Sequence, residues 1–188
     1  MFEVELKAKV IALEDTLNYL VRNGFRVVKY FVKDVYFSHP CRDFEETQEE
    51  FRFRVEEKGG KKRYILTYKG PSIFEDRSAR EELEIELRGD ISIILERLGF
   101  SKYATKEKEG WFLERDDLEI TLCSVRGEFS GRKFFLGEFV EVELKVSDAN
   151  KISEARKEVY DFISKLPGVG EIDPEYFMEK LKKLASKS

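Results

Sequence analysis

Apolar and charged residues alternate along several short segments of the chain, a period of two that is typical of β-strands with two different faces. In the first segment, Phe2–Val10, positions 2, 4 and 6 are apolar and positions 3, 5 and 7 are charged. Similar segments predict further strands at 25–37, 51–57, 62–70, 79–88, 100–108, 111–115, 118–126 and 138–146. A tight hairpin is predicted at Gly59-Gly60, because paired glycines allow the positive φ angles that such a turn needs.

Apolar residues at helical spacing occur in four places, and they predict helices near 13–23, 91–98, 149–165 and 174–186. Gly24 and Gly99 are well placed to end the first two helices. Asp173 is a suitable N-cap for the last helix, with Pro174 in its first helical position.

Eight or nine strands with few helices predict a mainly antiparallel β (α+β) fold, a closed or nearly closed barrel or tunnel with helices packed outside. The polar segment 38–50 is expected to be a loop, and a second loop containing Gly127, Gly131 and Gly137 is expected between the last two strands. Because no low-complexity linker divides the chain, residues 1–188 are predicted to form one domain, with 149–188 as C-terminal helices packed on the barrel.

One face of the predicted strands is almost entirely charged when residues are sorted by parity. Its members are Glu3, Glu5, Lys7, Arg52, Arg54, Lys69, Arg80, Glu82, Glu84, Glu86, Lys106, Lys108, Glu141 and Glu143. An ordinary sheet with its charged face in water would show the same pattern, and the pattern alone does not exclude it. Two observations favour a charged interior instead: a charge stands at nearly every position of this face, and the signs are grouped by strand. The apolar face would then point outward and be covered by the four helices.

A charged interior must pair its charges with one another or with a ligand, because unpaired burial costs several kcal/mol per ion. Paired carboxylates provide the hard oxygen ligands that Mg²⁺ or Mn²⁺ prefers. Arg and Lys on opposing strands suit phosphate oxygens. Together these side chains indicate a site for a metal ion and a polyphosphate.

The overall composition restricts the partners and the location. Charged residues make up 38% of the chain, but 34 basic and 38 acidic residues leave a net charge of −4, which argues against nucleic acid or an anionic membrane as a partner. The sequence shows no signal peptide and no membrane-spanning apolar run, so a cytoplasmic location is expected. Abundant Glu and Lys with a single Gln suggest selection at high temperature. A homodimer is compatible with the sequence.

In their order along the chain, these charged residues resemble the CYTH superfamily, which covers class IV adenylate cyclases, thiamine triphosphatases and inorganic or RNA triphosphatases built on a triphosphate tunnel. Glu3-Val4-Glu5-Leu6-Lys7 resembles the opening E-x-E-x-K motif of that family. The remaining matches follow in family order: Asp34-Val35-Tyr36-Phe37, Arg52 and Arg54 in FRFRV, Lys69 in LTYKGP, Arg80, Glu82 and Glu84 in SAREELE, Lys106 and Lys108, and Glu141 and Glu143 in GEFVEVE. The segment from residue 39 to 54 looks most like the class IV adenylate cyclase branch.

The resemblance implies a role for each group of residues. It assigns one or two Mg²⁺ or Mn²⁺ ions to Glu3, Glu5, Glu141 and Glu143, which with Lys7 would be the catalytic residues. It assigns the substrate triphosphate to Lys7, Arg52, Arg54, Lys69, Arg80, Lys106 and Lys108, with Glu82 and Glu84 as additional tunnel carboxylates. The family commonly has an acidic residue where this chain has Cys123, a thiol that Mg²⁺ disfavours, so the number of metal ions stays open.

The implied reaction is the conversion of ATP to cyclic AMP and pyrophosphate. Hydrolysis of inorganic tripolyphosphate, thiamine triphosphate or a nucleoside triphosphate is the alternative, and a non-catalytic binder of phosphorylated ligands is a third hypothesis. The same interior would serve all three, since they differ in which phosphorus is attacked, if any.

Overall fold

The computed structural model describes residues 1–187, which form nine β-strands and four α-helices. The strands are β1 (Phe2–Val10), β2 (Arg26–Ser38), β3 (Glu50–Lys58), β4 (Lys61–Ser72), β5 (Ala79–Leu87), β6 (Ser101–Arg115), β7 (Leu118–Phe129), β8 (Arg132–Val146) and β9 (Val169–Ile172). The helices are α1 (Leu13–Arg22), α2 (Ser92–Arg97), α3 (Ile152–Ile163) and α4 (Phe177–Ser186). Within residues 1–187, no helix combines the length and apolar character needed to cross a membrane.

Strands β1 to β8 close into an antiparallel barrel. They are hydrogen-bonded in the order β5-β4-β3-β2-β6-β7-β8-β1, and the additional pairing of β1 with β5 completes the ring. Strand β9 lies outside this ring, where it pairs with β1. The predicted fold class, a closed antiparallel barrel with helices outside, is therefore confirmed.

The main apolar core lies between the outer face of the barrel and helix α3. Four residues of α3, at positions 152, 155, 159 and 163, follow the spacing of a single helix face and are all buried. They pack in one cluster with Val4 and Ala8 of β1, both of which are 0% exposed. Each fully buried Val, Leu or Ile side chain contributes about 1.5–3 kcal/mol, so this contact holds β1 and its acidic residues firmly in place.

The helices do not cover the whole apolar exterior that the sequence predicts. Leu95 of α2 packs on Phe37 and Phe53, and this cluster covers part of β2 and β3. On β5, however, Leu83 is 51% exposed and Ile85 is 61% exposed. The expectation that four helices would cover the outer face is thus wrong at β5.

The predicted break between strands at 108 and 111 is also wrong, because β6 runs without interruption through Gly110. Glycine is needed at position 110 for a different reason. A Cβ atom at residue 110 would lie 2.2 Å from the carbonyl oxygen of Leu122 on the neighbouring strand β7. Gly110 therefore permits a close approach of two strands and does not end one.

The long loop predicted around Gly127 and Gly137 is replaced by a hairpin. Strands β7 and β8 stay paired out to Phe129 and Arg132. The turn between them places Ser130 and Gly131 at positive φ angles of 51° and 74°, as tight hairpin turns require. The glycines at 127 and 137 therefore lie within strands.

The C-terminal segment differs from the prediction in two ways. Strand β9 was not predicted, and α4 begins at Phe177 instead of Pro174. The carboxylate of Asp173 accepts a hydrogen bond from the backbone N–H of Glu175 at 3.1 Å, so it closes a turn ahead of the helix. The first turn of α4 is stabilised instead by Glu179, whose carboxylate accepts the backbone N–H of Tyr176 at 3.1 Å.

Candidate active site

A cavity of about 280 Å³ runs through the barrel, and charged side chains line it. Every residue that the sequence assigned to the site lines this tunnel, namely Glu3, Glu5, Lys7, Arg52, Arg54, Lys69, Arg80, Glu82, Glu84, Lys106, Lys108, Glu141 and Glu143. The alternation within each strand directs these side chains inward. The alternative of a charged face in water is therefore wrong for these residues. It holds for Glu86, which was predicted on the same face but is 62% exposed and does not line the tunnel.

Three carboxylates form what we call the acidic triad, Glu3, Glu5 and Glu143. Glu3 and Glu5 lie two residues apart on β1, and Glu143 of β8 stands directly opposite Glu5 in the strand register. One oxygen from each carboxylate can be chosen so that all lie within 4.8 Å of one another. Such a cluster of hard oxygen donors is what Mg²⁺ or Mn²⁺ binds.

The electrostatics of the triad show that it favours a cation. Burial, together with the charges of Glu141 and Glu3, raises the pKa of Glu5 to about 7. Burial and the charge of Glu3 likewise raise the pKa of Glu143 well above its ordinary value. One oxygen of Glu143 is buried and accepts no hydrogen bond, and the ammonium of Lys145 lies 3.3 Å from it. The triad therefore fits a divalent cation, whose charge would offset the repulsion among these carboxylates.

Glu141, the fourth predicted metal ligand, has different partners. Its carboxylate accepts hydrogen bonds from the ammonium of Lys108 and from the hydroxyl of Thr121, the latter at 2.7 Å. Burial opposes ionisation, but the charges of Lys108 and Lys106 and the two hydrogen bonds together outweigh it and lower the pKa of Glu141 to about 2. Among the described residues, the group that could hold a metal ion comprises the triad without Glu141.

The predicted cations surround this triad, and several of them pair with carboxylates. The Lys69 ammonium bonds to Glu3 and lies 3.1 Å from Glu82. The Arg80 guanidinium lies 3.8 Å from Glu3. Burial acts against ionisation, but Lys69 first and Arg80 second hold the pKa of Glu3 below its ordinary value. Arg52 keeps a buried Nε that donates no hydrogen bond, a donor that an anionic oxygen in the tunnel would satisfy.

Asp34 organises three of the cations on the opposite wall. Its carboxylate accepts two hydrogen bonds from Arg54, at 2.7 and 3.1 Å, and lies 3.6 Å from Arg52 and 3.3 Å from Lys106. Asp34 is fully buried, yet these cations hold its pKa well below the ordinary value. Asp34 therefore orients the cations on this wall of the tunnel.

Several tunnel residues were not predicted. Glu50 and Thr121 line the tunnel, and so do Tyr176 and Phe177 from the C-terminal segment. The alternation in β3 could have revealed Glu50, because it lies two residues before Arg52 and therefore on the same face of the strand. Nothing in the local sequence indicates that residues near 176 reach the tunnel, since they come from outside the barrel.

Cys123 is an apolar part of the barrel interior. It is 2% exposed and packs with Tyr30, Val32 and Phe112. Burial raises the pKa of the Cys123 thiol to about 12, so the thiolate that a metal ion would require is strongly disfavoured. The position where the family commonly has an acid is therefore unsuited to metal binding in this chain.

Comparisons with known proteins agree with this geometry. A sequence profile of the CYTH domain matches residues 1–171. A protein of Methanocaldococcus jannaschii, provisionally named an adenylate cyclase, is 31% identical over 169 residues, which cover 88% of this chain and 90% of that protein.

Two solved structures are similar over almost the whole chain. One, from Pyrococcus horikoshii OT3, is 33% identical with a TM-score of 0.78, and the match covers 97% of this chain and 99% of that one. Another, from Vibrio parahaemolyticus, has a TM-score of 0.72 at 16% identity, with 97% of this chain and 98% of that one covered. At this lower identity the likeness concerns the fold alone. The barrel, the order of its charged residues and the profile match over residues 1–171 lead to one conclusion: the chain belongs to the CYTH domain family.

Proposed function

We propose that this protein is a divalent-metal-dependent enzyme that acts on a triphosphate inside the barrel, and that it converts ATP to cyclic AMP and pyrophosphate. The observation that carries the proposal is the acidic triad and the buried row of Arg and Lys within one tunnel. This arrangement is complementary to a metal–triphosphate complex, in which the metal ion is positive and the phosphates are negative. The CYTH family includes adenylate cyclase-like enzymes and triphosphatases, and both act on such substrates.

The acidic triad would hold the Mg²⁺ or Mn²⁺ ion, which when bound supplies charge neutralisation at the phosphate oxygens. Lys69 and Arg80 lie next to Glu3 of the triad and would bind the phosphates near the metal. Arg52 lies 3.7 Å from Glu82 and 3.6 Å from Asp34, so it would bind phosphates between the two walls. Arg54, Lys106 and Lys108 would bind phosphates along the opposite wall. Because these cations are already positioned by Asp34 and Glu141, they can stabilise charge in the transition state without large rearrangement.

Cyclisation is the reaction that we favour, because the Methanocaldococcus jannaschii relative is provisionally named an adenylate cyclase and matches 88% of this chain. In that reaction the ribose 3′-hydroxyl attacks the α-phosphorus and pyrophosphate leaves. In a triphosphatase, water attacks the γ-phosphorus and orthophosphate leaves. The tunnel cations would bind the phosphates in both reactions, so product analysis has to distinguish them.

The test is to incubate the purified protein with ATP and Mg²⁺ or Mn²⁺, and to resolve cyclic AMP, pyrophosphate and orthophosphate. Cyclic AMP and pyrophosphate in equal amounts are the expected products, and EDTA should abolish them. Orthophosphate released from ATP, tripolyphosphate or thiamine triphosphate would instead indicate that the protein hydrolyses triphosphates. Tight binding of these compounds without any product would refute an enzymatic role.

A further inference from the structure

A row of carboxylates crosses β7, β8 and β1 on the inner face of the barrel. In the strand register, Glu143 of β8 lies opposite Glu5 of β1 on one side and opposite Glu119 of β7 on the other. All three residues line the tunnel. Glu5 and Glu143 belong to the acidic triad, whereas Glu119 does not. Like charges directly opposite each other on neighbouring strands destabilise a sheet, so this row favours a cation beside it.

The ammonium of Lys145 provides that cation. Lys145 follows Glu143 by two residues on β8, so both side chains lie on the same face of the strand. Its Nζ lies 3.3 Å from Oε1 of Glu143 and 3.6 Å from Oε2 of Glu119. One lysine therefore bridges a member of the acidic triad and a carboxylate outside it.

Lys145 is held at both carboxylates by charge and not by hydrogen bonds. Oε1 of Glu143 has no hydrogen-bond donor in the described part of the chain, and 3.6 Å is too long for a hydrogen bond to Glu119. Lys69, by contrast, donates a hydrogen bond to Glu3 and is 4% exposed. The Lys145 side chain is 37% exposed. Water can therefore solvate its ammonium while the ammonium moves from one carboxylate to the other.

A divalent cation at the acidic triad would compete with Lys145 for Glu143. The triad offers one oxygen from each carboxylate within 4.8 Å of the others, and Lys145 lies beside an oxygen of one of these carboxylates. Two cations at one carboxylate repel each other, most strongly where little water screens them. Withdrawal of Lys145 from Glu143 removes this repulsion.

Glu119 is able to receive the ammonium that leaves Glu143. On its other side Glu119 lies opposite Glu114 of β6, and Arg26 already neutralises Glu114 through a hydrogen bond of 2.7 Å. Within residues 1–187, the ion pair of Glu119 is with Lys145. Because the two groups are already 3.6 Å apart, a change of side-chain rotamers brings them together without movement of β7 or β8.

We propose that Lys145 is a positioning residue that pairs with Glu143 in the metal-free protein and moves to Glu119 when a divalent cation binds the acidic triad. This inference rests on the metal site of the proposed function. It gives Lys145 and Glu119 joint control of metal affinity: Lys145 competes with the metal ion, and Glu119 weakens that competition by giving the lysine a second partner.

The first experiment measures metal affinity directly, without nucleotide. The full chain is titrated with Mn²⁺ and with Mg²⁺ in a calorimeter, and Kd is determined for each variant. Lys145→Met keeps an unbranched apolar side chain but removes the competing charge, so it should bind Mn²⁺ about tenfold more tightly than the wild type. Lys145→Arg keeps the charge and should stay within about twofold of the wild type.

The second experiment tests the receiving carboxylate. Glu119→Gln leaves Lys145 with Glu143 as its partner and should weaken Mn²⁺ binding about fivefold. Loss of a nearby negative charge would also weaken it, so Glu119→Gln is repeated in the Lys145→Met background. There the effect should fall below about twofold, because no lysine remains to be received.

A control and a second readout complete the test. Lys33→Met removes the charge of an exterior ion pair with Glu107, at 3.0 Å and with 48% and 41% exposure, and it should not change the metal Kd. The rise in melting temperature caused by saturating Mg²⁺ should be larger in Lys145→Met than in the wild type. If Lys145→Met does not fold, Lys145→Gln, which is uncharged but polar, takes its place in both experiments.

The outcomes separate the inference from the proposed function. Unchanged or weaker metal binding in the uncharged Lys145 variant would overturn the inference and leave the metal site standing. An equal loss from Glu119→Gln with and without the lysine would show that Glu119 acts on the metal by its own charge, which would also overturn it. If the wild-type protein binds neither Mn²⁺ nor Mg²⁺, the metal dependence in the proposed function fails, and the inference fails with it.

Discussion

Ionisation of Glu5 is expected to destabilise the metal-free protein, and Glu5→Gln should remove this penalty. Glu5 lies between Glu3 and Glu143 in the acidic triad, with carboxylate oxygens of all three within 4.8 Å of one another. Burial and the neighbouring charges of Glu141 and Glu3 raise the pKa of Glu5 from 4.5 to about 7. The folded state therefore holds this proton more tightly than the unfolded state does.

The sign and size of the effect follow from this difference in pKa. Glu5 imposes no penalty below its unfolded pKa of 4.5; the penalty grows as the pH rises to about 7 and is constant above that. At 1.36 kcal/mol per pKa unit, the full penalty is on the order of 3 kcal/mol. Gln does not titrate and carries no such penalty. The unfolding free energy of Glu5→Gln minus that of the wild type should therefore increase by about 3 kcal/mol as the pH rises from about 4 to about 8.

The assay is denaturant unfolding at a series of pH values, first in EDTA and then with Mg²⁺ or Mn²⁺. A metal ion at a hundredfold excess over its Kd should stabilise the wild type by about 2.7 kcal/mol, and it should stabilise Glu5→Gln much less. The control is Glu107→Gln, which removes a carboxylate paired with Lys33 on the exterior at 3.0 Å. This control should follow the wild type in both series.

Two results would refute this reasoning. Parallel pH profiles of wild type and Glu5→Gln in EDTA would show that the Glu5 carboxylate ionises as easily in the folded protein as in the unfolded chain. Equal stabilisation of both proteins by Mg²⁺ and Mn²⁺ would show that the metal binds elsewhere than at the acidic triad.

Three further predictions concern residues around the tunnel. Arg54→Ala should raise the KM for the triphosphate about tenfold or more with little change in the far-UV circular dichroism spectrum, because it removes a bidentate cation from the wall; an unchanged KM would exclude Arg54 from binding. Asp34→Ala leaves three buried cations without their shared carboxylate and should lower the unfolding free energy by about 3–5 kcal/mol, measured by urea denaturation; a loss below about 1 kcal/mol would contradict its organising role. Gly110→Ala should lower the melting temperature by several degrees, because its Cβ would lie 2.2 Å from the Leu122 carbonyl oxygen; an unchanged melting temperature would mean that β7 can move away at little cost.

The barrel and its lining could be predicted because both follow from a local rule. In β1, odd and even positions face opposite sides, so alternation alone placed Glu3 and Glu5 on one face, and the grouping of signs by strand favoured the barrel interior for that face. The same rule applied separately to β3 and β8 gave Arg52 and Glu143. Alternation needs only neighbouring residues, which a sequence shows directly.

The features that escaped prediction depend on contacts between distant residues. Lys7 donates to carbonyl oxygens 166 and 168 positions away, and no local pattern connects β1 with the segment before α4. Asp is a residue type that is favoured at N-caps, but the carboxylate of Asp173 is paired with Lys7 and Lys180, and the helix begins later. Gly110 looks like a strand breaker until the approach of β7 is known.

The pairing within the tunnel explains why metal and triphosphate should bind together. Lys69 pairs with Glu3, so a metal ion that takes the Glu3 carboxylate leaves the ammonium of Lys69 without that partner. A triphosphate that takes Lys69 likewise leaves the carboxylate of Glu3 without its close partner, with the Arg80 guanidinium farther away at 3.8 Å. Either change alone exposes a buried charge, which is costly. With both ligands bound, the metal ion would neutralise the Glu3 carboxylate while a phosphate oxygen would accept a hydrogen bond from Lys69, so both members of this pair would keep a close partner.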